Sequence, residues 1–72
     1  MEKFLELLAE IFEVETEKIN MDTVFRDEIE YFTSLMGFSI IVMIEDEYNK
    51  QMTTQEFLNC NTIRDLYDYC VS

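Results

Sequence analysis

A serine, two cysteines and an acidic cluster are the side chains of this sequence whose type and position could support chemistry. Ser34 falls in the first turn of a predicted helix, where its hydroxyl is expected to be exposed. The chain contains no histidine, so it lacks the general base that usually activates a serine or cysteine nucleophile. We therefore predict that the protein is not an enzyme and that it has no catalytic residue.

The cysteines and the acidic cluster do not have the pattern of a metal or redox site. Cys60 and Cys70 lack the C-x-x-C spacing of such sites, and they are predicted to be reduced thiols of a cytoplasmic protein. The cluster at 45–47 is Glu-Asp-Glu, and three consecutive helical residues spread over about 200° around the helix axis, so they cannot converge on one ion. With one glycine and no proline, the chain has neither a glycine-rich phosphate loop nor a linker. We predict no metal site and a single domain over residues 1–72.

The charge balance restricts the classes of partner. Five basic residues stand against 16 acidic ones, which gives a net charge of −11 at pH 7. Such a surface repels nucleic acid and anionic membranes. The longest apolar run, residues 40–44, is far shorter than the roughly 20 residues that cross a bilayer. We expect a monomer that binds basic protein partners, with no nucleic acid and no membrane span.

The spacing of apolar residues predicts the elements that position Ser34. Residues 2–14 are predicted to form a helix, whose core stripe comprises Phe4, Leu7, Leu8, Ile11 and Phe12. Residues 15–33 are predicted to form a long acidic loop. Its apolar anchors are Ile19, Met21, Val24, Phe25 and Ile29.

Residues 34–48 are rich enough in β-branched side chains to pass for a buried strand. We predict a helix, because about 15 residues run without a turn signal and apolar residues recur at helical spacing. The recurring residues are Leu35, Phe38, Ile41, Ile44 and Tyr48. Thr33 is the predicted N-cap, and Asn49 is predicted to end the helix in the left-handed conformation. Because its middle is apolar nearly all round, this helix should be central to the fold.

Two threonine-capped helices complete the chain. A short one is predicted at 54–59, capped by Thr53 or Thr54, with Phe57 and Leu58 pointing inward. The last begins after Thr62, and its core stripe comprises Ile63, Leu66, Tyr67 and Cys70. The predicted fold class is all-α: a bundle of four helices, three longer and one short, with a long loop between the first two.

This order of elements, together with four short motifs, resembles the acyl carrier protein family over nearly the whole chain. Thr33-Ser34-Leu35 resembles the D-S-L motif that begins the family's second helix. Residues 19–27 resemble its loop, with Asp22 and Phe25 at recurrent positions. Residues 44–48 resemble the acidic, aromatic end of that second helix, and residues 62–69 resemble its threonine-capped final helix.

The resemblance implies a carrier of covalent 4′-phosphopantetheine, attached to Ser34 as a phosphodiester. Acyl or related intermediates would travel on this arm as thioesters, and the partners would be a phosphopantetheinyl transferase and acyl-loading or acyl-using enzymes. It also implies a partner-binding surface comprising Leu35, Met36, Ser39 and Glu45, with Met36 expected to be exposed. Ile41 and Ile44 would line an acyl pocket, formed by a slight opening of the core. The cargo and the pathway are not indicated.

Two other functions remain open, one because of departures from the family pattern and one because of the net charge. Thr33 replaces the aspartate that precedes the serine, residues 30–32 replace a glycine-containing stretch, and Met36 and Ser39 stand where acids usually dock basic partners. The first alternative keeps the fold without the arm, as an interaction module that is not phosphopantetheinylated. The second is an acidic decoy that mimics nucleic acid, and it rests on the net charge alone.

The acidic excess predicts that self-repulsion limits the stability of the fold. Because salt screens exposed like charges within a Debye length, moderate salt or millimolar divalent cations should raise the melting temperature. Thermal unfolding followed by circular dichroism at low and moderate salt measures this effect. A melting temperature that stays constant or falls would contradict the prediction.

Overall fold

The computed structural model describes residues 2–29 and 32–72, and every regular element in this part of the chain is helical. A 3₁₀ turn at Thr16–Lys18 lies between the first two helices. The α-helices are α1 (Glu2–Phe12), α2 (Phe25–Glu28), α3 (Ser34–Tyr48), α4 (Thr54–Asn59) and α5 (Ile63–Val71). The prediction of an all-α fold is confirmed, with α2 as a short helix inside the predicted loop. Of the residues that replace the family's glycine-containing stretch, Glu30 and Tyr31 lie outside the described residues.

Helix α1 fully buries only part of the predicted apolar stripe, and it ends two residues before the predicted end at residue 14. Phe4, Leu8 and Phe12 are buried, whereas Leu7 and Ile11 are only half-buried. The helix ends at Phe12 because Glu13 takes a left-handed φ of 59°. The backbone N–H of Val14 then donates to the carbonyl of Ala9 at 3.0 Å, which closes the last turn.

The segment between α1 and α3 packs across the body through the predicted anchors. Ile19, Met21, Phe25 and Ile29 are buried, and Val24 is half-buried. The same segment bonds to the start of α5. The backbone N–H groups of Ile63 and Arg64 donate to the carbonyls of Thr23 and Met21, at 3.1 and 2.8 Å respectively. Loop carbonyls therefore satisfy donors that an isolated helix would leave without partners.

Helix α3 has the predicted bounds and the predicted caps. The Thr33 hydroxyl accepts the backbone N–H of Met36 at 3.3 Å. At the other end, Asn49 adopts a left-handed φ of 55°, and its N–H donates to the carbonyl of Glu45. The helix packs against α1, α4 and α5, which confirms its central place.

The buried face of α3 differs from the predicted stripe. Gly37, Ile40 and Ile44 are buried, whereas Leu35 and Phe38 are 74% and 63% exposed. Ile41 and Tyr48 are half-buried. Apolar residues of α3 itself lie on nearly every side of the helix, so their periodicity does not indicate which face is buried. The buried face depends instead on the side chains of other elements that pack against the helix.

Helices α4 and α5 both begin with a reciprocal capping box, in which a threonine hydroxyl and an acidic side chain cap the first turn. The pairs are Thr53 with Glu56 and Thr62 with Asp65. The backbone N–H groups of Asn61 and Thr62 donate to the Asp65 carboxylate and lower its pKa. The threonine-capped starts are confirmed. Leu58 does not point inward as predicted, since 57% of it is exposed.

Both cysteines are free and buried, as expected for structural thiols. Burial raises the pKa of each, and that of Cys70 reaches about 11. At neutral pH the thiols are therefore protonated and act as small apolar core residues.

The Arg26 side chain joins α2 to the end of α4. Its guanidinium donates to the carbonyls of Cys60 and Phe57, the second at 2.7 Å. It also lies 4.9 Å from the centroid of the Phe25 ring and 5.0 Å from that of the Phe57 ring. These carbonyls are in the last turn of α4 and just after it, where a helix leaves acceptors short of donors; that of Phe57 also accepts the N–H of Cys60 at 3.0 Å. Arg26 therefore supplies charged donors in a partly buried place, with aromatic rings against the guanidinium.

We expect Arg26→Met to lower the free energy of unfolding by about 2 kcal/mol or more, because two carbonyls lose charged donors at a partly buried position. Urea unfolding followed by circular dichroism measures this change. The matched control is Arg64→Met, which removes an exposed ion pair with Asp22 and should cost less than about 1 kcal/mol. Equal costs for the two variants would contradict the role assigned to Arg26.

Candidate functional site

Ser34 is the first residue of α3, and it is exposed. The cap comes from Thr33, whose backbone is extended with φ −128° and ψ 166°. Because the Thr33 hydroxyl takes the N–H of Met36, the backbone N–H groups of Ser34 and Leu35 remain at the helix start without intrahelical acceptors. The structure thus presents the Ser34 hydroxyl beside two backbone donors, at the positive end of a 15-residue helix.

A cavity of about 320 Å³ lies beside Ser34, between α3, α4 and the end of the segment that precedes α3. Its walls are mainly apolar and aromatic, and Phe32 and Phe57 stack within it with ring centroids 6.4 Å apart. The lining residues are Arg26, Phe32, Ser34, Gly37, Phe38, Ile41, Thr54, Phe57 and Leu58. None of these described neighbours is a carboxylate or another base that could activate the Ser34 hydroxyl.

Gly37 determines how close α4 comes to α3 at this cavity. A Cβ atom on Gly37 would lie 3.0 Å from Cε2 of Phe57 and 3.3 Å from its Cζ. A larger side chain would therefore push the Phe57 ring, which also lies against the Arg26 guanidinium. Glycine is required here for the close approach of the ring, not for backbone conformation, since its φ is helical.

The structure brings one of the two predicted pocket residues to this cavity. Ile41 is half-buried and forms part of the wall. Ile44 is fully buried, one turn further along α3, and is absent from the lining. Ile44 contributes to the hydrophobic core and not to the cavity wall.

The predicted partner residues do not share one face. Leu35 and Glu45 are exposed, and Ser39 is partly exposed. Met36 was expected to be exposed, but it is half-buried and packs against the core. It faces a separate depression that it shares with Phe12 and Ile29, because the end of α1 and the loop cover that side of α3.

Sequence reasoning missed three exposed apolar residues on α3 and α4. Phe38 and Val42 on α3 and Leu58 on α4 are 63%, 42% and 57% exposed. One signal in the sequence could have found the first two. Residues 34–44 contain no charged side chain, and a helix on the surface of so small a protein cannot bury its whole circumference.

The described residues contain no group of three or more side chains suited to holding a metal ion. The acidic residues Glu45, Asp46 and Glu47 are exposed and follow one another along α3. None of the described helices is both long and apolar enough to cross a membrane.

The residues around Ser34 fit a covalently attached phosphopantetheine. A phosphate on the hydroxyl would lie at the start of α3, where the dipole and the N–H groups of Ser34 and Leu35 favour an anion. The apolar cavity next to the serine offers a surface for the arm or for what it carries.

Comparison with known protein families agrees with this geometry. The family model described as phosphopantetheine attachment site matches residues 2–70 of the 72. Searches of curated proteins and of solved structures gave no significant match. The match includes residues of each α-helix from α1 to α5, and the chain therefore belongs to the phosphopantetheine attachment family, whose members carry covalent 4′-phosphopantetheine and are generally non-catalytic.

Proposed function

We propose that this protein is an acyl carrier protein in which Ser34 is the attachment site of 4′-phosphopantetheine. The observation that carries the proposal is an exposed serine at the start of a long helix, next to an apolar cavity, in a chain of this family. When bound, the arm supplies a thiol on which acyl groups form thioesters. The chain itself is then not an enzyme, and transferases and other biosynthetic enzymes act on the group that it presents.

The chain contributes position and shielding to this function. Thr33 fixes the start of α3, so that the Ser34 oxygen lies beside the backbone N–H groups that stabilise an attached phosphate. Ile41 provides apolar wall next to the attachment point, and Ile44 adds to it when the core opens slightly. A hydrophobic acyl group would gain free energy by leaving water for this cavity.

The proposed partners are a phosphopantetheinyl transferase and the enzymes that load or use the acyl group. Leu35, Met36, Ser39 and Glu45 form the proposed contact surface on α3. Leu35 and Glu45 can reach a partner directly, whereas Met36 would act mainly by supporting the surface from beneath. We further propose a single domain over residues 1–72 that works as a monomer in the cytoplasm and binds neither nucleic acid nor membrane.

An interaction module without the arm is the second candidate. It is favoured by Thr33, which replaces the aspartate of the D-S-L motif and thus removes a carboxylate next to the site. Thr33 nevertheless keeps the capping function, since its hydroxyl binds the N–H of Met36. The two candidates therefore differ in modification and not in fold.

Intact mass spectrometry distinguishes these candidates. Co-expression with a broad-specificity phosphopantetheinyl transferase should add the mass of one phosphopantetheine to the native chain and none to Ser34→Ala. Thr33→Asp should speed the modification if the missing carboxylate is what slows such transferases. No increment with any transferase tried, or an increment that persists in Ser34→Ala, would overturn the carrier proposal.

We also expect the Ser34 hydroxyl to serve function rather than folding. Ser34→Ala should change the free energy of unfolding by no more than about 0.5 kcal/mol, because the side chain is exposed and does not cap the helix. Thr33→Ala should cost about 1 kcal/mol, since it removes the cap. Urea unfolding of the two variants measures both values, and a larger loss for Ser34→Ala would show that its hydroxyl supports the fold.

A further inference from the structure

The cavity beside Ser34 contains a positive charge as well as apolar walls. Arg26 is the charged side chain among its described lining residues, and it is half-buried. The rest of the described lining consists of apolar and aromatic side chains, one glycine and the exposed hydroxyls of Ser34 and Thr54. An attachment point, an apolar surface and a guanidinium therefore share one cavity.

The charge of Arg26 is not compensated by a carboxylate within the described part of the chain. The ion pairs found there join Lys3 to Glu47 and Arg64 to Asp22, at 3.4 and 3.0 Å. Arg26 instead donates to backbone carbonyls and lies against aromatic rings. Charges that are removed from water are normally paired with an opposite charge. A half-buried guanidinium without such a pair is therefore suited to binding an anionic group.

The guanidinium also has hydrogen-bond donors to spare. It carries five N–H groups, and the carbonyls of Phe57 and Cys60 accept from one terminal nitrogen each. Five minus two leaves three N–H groups without an acceptor among the described residues. Hydrogen bonds from a guanidinium to a carboxylate are charge-assisted and stronger than those to a neutral acceptor. A carboxylate inside the cavity would therefore bind Arg26 more strongly than a carbonyl or a hydroxyl would.

The dimensions of the cavity restrict the length of such a group. Its volume of about 320 Å³ lies at the lower end of the range for ligand pockets. Along α3 the lining extends from Ser34 to Ile41, which is about 10 Å at the rise of an α-helix. The Phe57 ring limits the width, since it packs closely against Gly37. The cavity therefore fits a short acyl group better than a long one.

We propose that Arg26 determines the specificity for cargo: the cavity favours a short acyl group that ends in a carboxylate over one of equal length that ends in a methyl group. The apolar middle of the acyl group would lie against Ile41 and Phe57, and its terminal carboxylate would accept hydrogen bonds from Arg26. The proposal rests on the proposed function, because the cargo has to be attached through Ser34. It adds a charged contact to the apolar pocket that the resemblance implies.

The net charge of the molecule makes the sign of the effect informative. With a net charge of −11, the chain repels an anion that stays on its surface, and this repulsion raises the pKa of a carboxyl group there. Contact with a guanidinium has the opposite effect and lowers the pKa. The pKa of the terminal carboxyl group therefore shows whether the cargo reaches Arg26.

The test attaches two synthetic phosphopantetheine arms to the ¹⁵N-labelled native chain with a broad-specificity transferase. Both arms carry an acyl group of about six carbons, through an amide that replaces the thioester and prevents hydrolysis. One acyl group ends in a ¹³C-labelled carboxylate, and the other ends in a methyl group. The carboxylate arm should shift the Nε–H signal of Arg26 and the amide signals of Gly37 and Ile41. The methyl arm should shift the Arg26 signal about half as much or less.

A ¹³C titration then measures the pKa of the terminal carboxyl group. On the native chain it should be lower than on the free arm, and in Arg26→Met it should be higher than on the free arm. The matched control is Arg64→Met, which removes an equal charge at an exposed position outside the cavity and should leave the pKa lowered. Circular dichroism establishes that each variant is folded, and the comparison of the two arms on the native chain needs no substitution at Arg26.

Three outcomes would overturn the specificity assigned to Arg26: equal shifts of its signal with the two arms, a carboxyl pKa that is raised on the native chain, or a lowered pKa that persists in Arg26→Met. Each of them leaves Ser34 as the attachment site. Failure of the transferase to add either arm would instead contradict the proposed function, and it is seen in the mass spectrum before any titration.

The cavity can be tested even if the transferase fails. The same two end groups can be attached with haloacetamide linkers to the thiol that Ser34→Cys introduces. Cys60 and Cys70 are buried, and burial raises the pKa of each thiol, so the reaction is confined to the exposed position. Linkers of increasing length ensure that the carboxylate can reach Arg26. A carboxyl pKa that is lowered at no length would overturn the proposal.

Discussion

The contact between Arg26 and the end of α4 supports the surroundings of Ser34. The guanidinium lies against the rings of Phe25 and Phe57 and donates to the carbonyls of Phe57 and Cys60. The segment before α3 is thereby fixed to α4, and the two together enclose the cavity that opens beside the serine. In a chain with 16 acidic residues and five basic ones, a positive charge is placed where it binds carbonyl oxygens rather than a surface carboxylate. Such a contact stabilises the fold without depending on low salt, because it is partly buried.

Local signals made much of the fold predictable from the sequence. The bounds of α3 followed from Thr33 and Asn49, and the starts of α4 and α5 followed from Thr53 and Thr62, since a cap acts within a few residues of the chain. The orientation of α3 was not predictable in this way. With apolar residues all round the helix, the buried face depends on which residues of other elements pack against it, as the Phe57 ring packs against Gly37. The four-residue helix α2 was also missed, because it is too short to show a period.

In the candidate site, too, features set by neighbouring residues were predictable, whereas features set by packing between distant residues were not. Ser34 and its cap are consecutive residues, so the place of the serine at the start of α3 was predicted and is confirmed. The cavity is built from α3, α4 and the loop, with Arg26 and Phe57 31 residues apart in sequence. No periodicity indicates which side chains meet across such a distance. The exposure of Phe38 and the burial of Met36 follow from this packing, which is why both differed from expectation.

The Phe38 side chain shows how the uncharged stretch of α3 determines the surroundings of Ser34. Its ring forms part of the lining of the cavity beside Ser34, yet 63% of the residue is exposed. Residues 34–44 carry no charge, and α1, α4 and α5 cover only part of the circumference of this central helix. The packing that buries Ile40 and Ile44 therefore leaves Phe38 at the surface, and apolar area stays in contact with water next to the proposed attachment site.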